Sequence, residues 1–167
     1  MKKLLLLSVL LISACTDDDS NSELTIIEST LISKDRLFGN GEEDIAPQNI
    51  VITNQNNWND LITQMNSVNN VSDNFSEIDI SFSEYIVIAV FDELKGNDGH
   101  SIELSIISNS ENIIVSVTNS HNEGNAATVI TQPYNLQLEN DTDGATSGDA
   151  KTGILFRASY NDTTPTD

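Results

Sequence analysis

The alternation of apolar and polar residues predicts a chain built mainly of short β-strands. Residues 101–106 alternate strictly, and residues 113–117 follow after a polar turn, so the two segments predict an antiparallel hairpin. Residues 85–91 are apolar at every position, which is typical of a central strand covered on both faces. Further extended segments are predicted at residues 24–33, 49–52, 128–131, 134–138 and 153–157.

One helix is predicted by an apolar stripe at positions i, i+3, i+4 and i+7, formed by Trp58, Leu61, Ile62 and Met65. Asn54 precedes the stripe and suits the N-cap, where a side-chain oxygen accepts from a free backbone N–H. We expect the stripe to pack on a sheet. The fold class is therefore mainly β, or α+β: an antiparallel, sandwich-like sheet with one amphipathic helix packed on it.

Proline at position 133 separates two of the predicted extended segments. Because proline has no N–H to donate to a sheet ladder, we expect Pro133 at an edge, at a bulge or at the start of a strand. A bulge is also expected in residues 24–33, where the alternation slips after Ile27.

The N-terminus reads as a secretory signal peptide. Lys2 and Lys3 precede an apolar run over residues 4–12, and small residues follow. The run is shorter than the roughly 20 apolar residues that a membrane-spanning helix needs. The sequence Ile12, Ser13, Ala14, Cys15 resembles the lipobox of bacterial lipoproteins, in which the cysteine thiol is diacylated and its new amino group is acylated after cleavage.

Cys15 is the only cysteine of the chain, so no intrachain disulfide can form. Once its thiol carries lipid, no thiolate chemistry is left for the mature protein. Several acyl chains give stable membrane anchoring, where one chain gives only marginal binding. The alternative is an ordinary signal peptide cut nearby, which would leave a free cysteine.

The segment after Cys15 is polar and acidic, with Asp17, Asp18 and Asp19 in a row. Such a composition predicts a disordered tether. An acidic run at this position resembles the surface-export signal of Bacteroidota lipoproteins, which implies an outer-membrane anchor facing the cell surface. The alternative is the periplasmic face. The expected organisation is a signal peptide at 1–14, a lipidated cysteine and tether at 15–22, a single domain at 23–160 and a flexible tail at 161–167.

The charge of the chain is strongly negative. Its 26 acidic and 7 basic residues give a formal net charge of −19, and loss of Lys2 and Lys3 with the leader would make it −21. Such a surface repels phosphate backbones, which excludes nucleic acid as a partner. It also argues against membrane binding through basic patches.

Three segments resemble the C-terminal domain of the PrcB family. They are residues 82–91, residues 95–104 with a glycine-containing turn, and residues 128–135 with a Thr-Gln-Pro-Tyr sequence. PrcB is the accessory lipoprotein subunit of a spirochaete surface protease complex, and the resemblance covers about residues 76–140. The family usually has two adjacent glycines in the turn, whereas Gly99 stands alone here and His100 takes an aromatic position. The resemblance implies no catalytic residue and a role in binding or stabilising a protein partner.

The residues capable of catalysis form no recognisable set. His100 and His121 are the two histidines, and the chain has no Gly-x-Ser-x-Gly nucleophile motif to accompany them. A zinc site of histidine and cysteine lacks ligands. Aromatic residues, which stack on sugar rings, make up only 5% of the chain. We therefore expect a protein that is not an enzyme and has no cofactor.

The candidate metal ligands are Asp141 and Asp143, followed by Gly144, in a segment that partly mimics a calcium loop. Counted from Glu139, the twelfth loop position holds Ala150, where a bidentate Glu is needed. The alternative is a polar turn before the last strand. Two hypotheses follow: a surface lipoprotein that binds a protein partner, or a calcium-dependent carbohydrate-binding module or small hydrolase on the same anchor.

Overall fold

The computed structural model describes residues 24–108, 112–122, 126–141 and 153–160. In this part of the chain, strands dominate, with one α-helix, α1 (Gln55–Met65), and a 3-10 turn at Val71–Asn74. The strands are β1 (Thr25–Ile26), β2 (Thr30–Leu37), β3 (Gln48–Ile52), β4 (Tyr85–Phe91), β5 (His100–Ser108), β6 (Asn112–His121), β7 (Gln132–Asn140) and β8 (Gly153–Tyr160).

The strands form two sheets. The inner sheet has the order β2-β7-β4-β3 and is antiparallel throughout. The outer sheet has the order β1-β5-β6-β8, in which only β6 and β8 run parallel. The β5–β6 pair is antiparallel in continuous register, so the predicted hairpin pairing is confirmed. The fold class is confirmed as well: a β-rich α+β domain.

The inner sheet is covered on both faces, which explains the continuous apolar run of β4. Val87, Ala89 and Phe91 point to a core shared with α1. Ile88 and Val90 point the other way, into a core shared with the outer sheet. The layers are therefore helix, inner sheet and outer sheet, and β4 is the central strand that its sequence predicts.

Helix α1 begins and packs as its sequence predicts. The side chain of Asn54 accepts a hydrogen bond from the backbone N–H of Asn57 at 3.0 Å, which is the N-cap geometry. Trp58, Leu61 and Met65 are buried against the inner sheet. The indole nitrogen of Trp58 donates to the carbonyl of Ile78 at 2.9 Å, so burial of this ring leaves its polar atom satisfied.

Two predicted strands differ from the structure. The segment at 24–33 is split between sheets: β1 pairs with β5 and β2 pairs with β7, with a register shift between Leu31 and Ser33. Residues 128–130 form no strand, and Thr131 makes only an isolated bridge to Lys95. Pro133 is the second residue of the interior strand β7, so among the expected positions it takes the start of a strand.

The predicted leader, the lipobox residues Ile12, Ser13 and Ala14, and Cys15 lie outside the described residues, as do the predicted tether and tail. Among the residues that are described, no helix is long and apolar enough to cross a membrane.

Candidate functional site

Loops from both sheets gather at one end of the sandwich. Leu37 pairs with Gln132 and Phe91 with Tyr134, so β2 and β4 end where β7 begins. In the outer sheet, His100 at the start of β5 pairs with His121 at the end of β6. The backbone carbonyl of His100 accepts a hydrogen bond from Nε of Arg36 in β2 at 2.9 Å. These strand ends of the outer sheet therefore lie at the same end of the sandwich as the loops of the inner sheet. We call it the loop end: residues 38–47, 92–100, 121–122 and 126–131.

The segments that resemble the PrcB family are joined here. Lys95 and Thr131 exchange two backbone hydrogen bonds of 2.8 and 3.0 Å. The buried hydroxyl of Thr131 donates to the carbonyl of Asn97 at 2.9 Å. The carboxylate of Asp98 accepts from the backbone N–H of Ala127 at 2.7 Å. These side chains hold the loops 92–99 and 126–131 against each other.

Gln132 and Tyr134 have structural roles of the same kind. The buried amide nitrogen of Gln132 donates to the carbonyls of Ile45 and Asp92, at 2.9 and 2.8 Å, and so ties two loops to β7. The hydroxyl of Tyr134 lies 3.1 Å from that of Ser33. Burial raises the pKa of Tyr134, which keeps the phenol neutral. The Thr-Gln-Pro-Tyr segment therefore stabilises the loop end from inside.

An ion cluster surrounds Lys95. Its ammonium lies 3.1 Å from Oδ2 of Asp92 and 3.0 Å from Oε1 of Glu93, and the same Asp92 oxygen accepts from the amide of Asn119 at 3.1 Å. Burial alone lowers the pKa of Lys95, but its hydrogen bonds to Glu93 and Asp92 outweigh this and raise the pKa. The same hydrogen bond and the charge of Lys95 lower the pKa of Glu93. Lys95 and Glu93 are therefore both charged at neutral pH.

The two histidines form a stacked cross-strand pair. The ring centroids of His100 and His121 are 4.1 Å apart and the planes differ by 10°. Burial lowers the pKa of His100, and the neighbouring charges of His121 and Lys95 lower it further, so this imidazole is neutral at pH 7. The adjacent hydroxyls of Ser101 and Ser120 lie 2.8 Å from each other.

Apolar side chains are exposed beside these paired polar groups. Phe38, Leu94 and Ile130 are exposed large hydrophobics in three different loops of this end, and we call them the loop-end apolar patch. A cavity of about 450 Å³ opens next to Leu94, and its lining includes Ile45 and Pro47. Gly41, at φ +86°, also lines this cavity, and a Cβ there would lie 2.9 Å from Leu94. The glycine thus permits both the turn and the close approach of leucine.

Of the two residues that the sequence proposed as metal ligands, the structure describes only Asp141. Asp141 follows β7, and its backbone N–H donates to the carbonyl of Glu84 at 2.8 Å. Asp143 lies outside the described residues. Within the described ranges, no group of three or more His, Cys, Asp or Glu could hold a metal ion.

The apolar patch is the feature that sequence reasoning missed. Phe38, Leu94 and Ile130 are far apart in the chain, so neither periodicity nor a motif marks them as one surface. For Phe38 and Leu94 the available signal was a large apolar residue in a mostly polar loop, whereas Ile130 lies in a segment that was predicted as a strand.

Comparison with protein-family models, with curated proteins and with solved structures finds no match to this chain. The resemblance to the PrcB family stays a prediction from the sequence motifs. Fold and site define a β-rich α+β domain with an internally braced loop end that exposes apolar side chains.

Proposed function

We propose that this protein is a non-enzymatic lipoprotein, anchored in the outer membrane through lipid on Cys15 and facing the cell surface, whose PrcB-like domain binds or stabilises a protein partner. The observation that carries the proposal is the loop-end apolar patch of Phe38, Leu94 and Ile130. Exposed large apolar side chains in loops at one end of a domain, one of which lines a cavity, are typical of protein interfaces. A protease complex is the partner that the family resemblance implies.

The chemistry of the loop end supports binding rather than catalysis. Lys95, Asp92 and Gln132 are engaged with each other or with backbone groups, and their hydrogen bonds brace the loops. Phe38, Leu94 and Ile130 are the large apolar side chains that this end exposes to solvent. Because hydrogen bonds already hold these loops in place, binding a partner through their apolar side chains costs little conformational entropy, which favours affinity.

The position of the N-terminus supports a loop end that faces away from the membrane. β1 pairs Thr25 with Ser108, at the end of β5 opposite to His100. The chain therefore enters the domain at the end away from the patch. The eight residues between Cys15 and Leu24 can span at most about 28 Å, so a lipid on Cys15 would hold the domain close to the membrane. The loop end would then project away from the bilayer.

Site-specific photo-crosslinking in cells tests the binding role. The photo-reactive residue benzoylphenylalanine replaces Leu94 in the full-length lipidated chain, and Ile26 serves as the matched control, since it is exposed and lies at the opposite end. We expect a covalent adduct with a discrete partner protein from position 94 and not from position 26. Absence of an adduct at position 94, or the same adducts from both positions, would overturn the proposal.

Replacing Cys15 with serine tests the anchor. Serine cannot carry the thioether-linked lipid, so we expect the variant to lose globomycin-sensitive processing and to leave the membrane fraction. Retention in the membrane at the level of the unchanged protein would contradict lipidation at Cys15.

A further inference from the structure

The two edges of the inner sheet are protected very differently. β2 carries Lys34, Asp35 and Arg36 and contains a register shift, features that discourage a further strand from pairing with an edge. β3 forms the other edge and has the sequence Gln-Asn-Ile-Val-Ile. It contains no charged residue or proline, and its pairing with β4 continues without a shift from Gln48 to Ile52. Within the described residues, neither charge, proline nor a bulge therefore protects β3.

A groove runs beside this edge. It has a volume of about 320 Å³ and lies between β3 and α1. Ile50 is half-buried on the strand side, and Leu61 lines the helix side together with the polar residues Asn57 and Gln64. An edge strand with free backbone positions and a groove for alternate side chains are the two parts of a site that binds an extended peptide as an added strand.

The stretch of chain that builds this edge carries charge of one sign. Between Arg36 and Lys95 the chain has ten acidic residues and no Lys or Arg, and this stretch supplies β3, α1 and β4. Asp60 lies in the groove itself. A second copy of the chain would bring the same negative field to the edge, which disfavours self-association. A strand that carries Lys or Arg would be attracted.

We propose that the β3 edge binds an extended segment of another protein, with alternating apolar side chains and flanking Lys or Arg residues. The segment adds to the inner sheet as a fifth strand beside β3. Its backbone forms ladder hydrogen bonds with β3, its apolar side chains lie in the groove against Ile50 and Leu61, and its cations face Asp60. This surface is distinct from the loop-end apolar patch and does not depend on the role proposed for it.

Selection from a displayed library of random peptides of about nine residues on the full-length protein tests the proposal. We expect the selected peptides to alternate apolar and polar residues and to carry at least one Lys or Arg. Methylation of alternate backbone nitrogens in a selected peptide removes the ladder hydrogen bonds and should abolish its binding. Recovery of no peptide, or of peptides without alternation or basic residues, would refute the proposal.

Variants of the protein locate the bound peptide. Asn49→Lys adds a protective charge to the exposed β3 edge, and we expect it to weaken a selected peptide by about tenfold. Asp60→Asn removes the acid in the groove and should weaken binding by about threefold. Thr30→Lys makes the same change of charge as Asn49→Lys on the protected β2 edge and should leave the dissociation constant unchanged. Equal weakening by the two lysine variants would place the peptide elsewhere and overturn the proposal. Crosslinking from position 94 should be unaffected by Asn49→Lys, so the two proposals can fail separately.

Discussion

Replacing Lys95 with methionine should destabilise the domain through the loss of a charge. The methionine keeps most of the apolar stem, so the main change is removal of the ammonium from Asp92 and Glu93. The side chains of Lys95 and Asp92 are only 16% and 14% exposed, and a hydrogen bond to a charged group is worth about 1.5–3 kcal/mol. Asp92 keeps its hydrogen bond from Asn119. We expect unfolding to become easier by about 2 kcal/mol, nearly all of it from the Asp92 contact, because Glu93 is exposed.

Lys34 provides a matched control on the same domain. Its ammonium lies 2.6 Å from Glu103, and the two side chains are 34% and 55% exposed. Solvent screens such a pair, so Lys34→Met should cost at most about 1 kcal/mol although its ion pair is shorter than that of Lys95 with Asp92. Burial, not distance, is expected to decide which of the two lysines matters.

The assay is urea unfolding of the unchanged protein and both variants at a series of pH values. The unfolding free energies are compared where the m-values agree. The folded-state pKa of Lys95 lies above its ordinary value of 10.5, so its contribution is complete below pH 10.5 and is lost as pH rises through the folded-state pKa. The folded-state pKa of Glu93 lies below its ordinary value of 4.5, so its contribution is complete above pH 4.5 and is lost as pH falls through the folded-state pKa.

The difference in unfolding free energy between the unchanged protein and Lys95→Met should therefore be flat up to about pH 10 and smaller above it, with only a minor decline below about pH 4.5, where the exposed Glu93 loses its charge. Equal costs for the two lysine variants would refute the argument from burial. A difference that does not change with pH would show that Lys95 acts through its stem and not through its charge.

Two further substitutions test the loop end. In Gly39→Ala, the added Cβ would overlap the buried carboxylate of Glu43, which accepts from the N–H of Gly39 at 2.9 Å. We expect the free energy of unfolding in urea to fall by about 2 kcal/mol. In the control Gly96→Ala no atom lies within 4 Å of the new Cβ, so that free energy should change by no more than about 0.5 kcal/mol. Similar losses for the two variants would contradict this account. Burial lowers the pKa of His100 below its ordinary value of 6.5 in the folded state. As pH falls through 6.5, His100 is therefore protonated in the unfolded chain before it is protonated in the folded protein, and the free energy of unfolding decreases. His100→Gln should reduce that fall in melting temperature between pH 7.5 and pH 5.5, and an unchanged slope would contradict the shift in pKa.

The spacing of apolar residues was sufficient to predict those elements in which the covering layers determine which positions are apolar. The stripe of α1 faces one sheet, so its 3.6-residue period is plain, and β5 has the strict alternation of a strand with one covered face. β4 has no alternation because both of its faces are buried, and this too could be recognised. In each case the pattern follows from what covers the element.

Long-range pairing was not predictable in the same way. The slip of alternation after Ile27 marks the point where the chain leaves the outer sheet for the inner one, but a slip also fits the bulge that we expected. Nothing local to Gly153–Tyr160 distinguishes a parallel from an antiparallel partner. The loop-end patch depends on the same tertiary pairings, since β2, β4 and β7 must align before the three loops that carry it lie at one end of the domain.

The polar face of β7 connects these pairings to the site. Tyr134, Leu136 and Leu138 pack with the helix-side core, so Asn135, Gln137 and Glu139 point toward the outer sheet, where all three are buried. The amide of Asn135 donates to the carbonyl of Ile102 at 2.9 Å, and the hydroxyl of Ser29 donates to Gln137 at 2.5 Å. Apolar packing alone tolerates sliding of one sheet over the other, whereas these hydrogen bonds are directional and expensive to leave unmade. The bond of Asn135 joins the two sheets directly, and that of Ser29 holds the segment that crosses between them. Both therefore help to fix the relative position of the sheets, and with it the position of the His100–His121 pair beside the loops of the inner sheet.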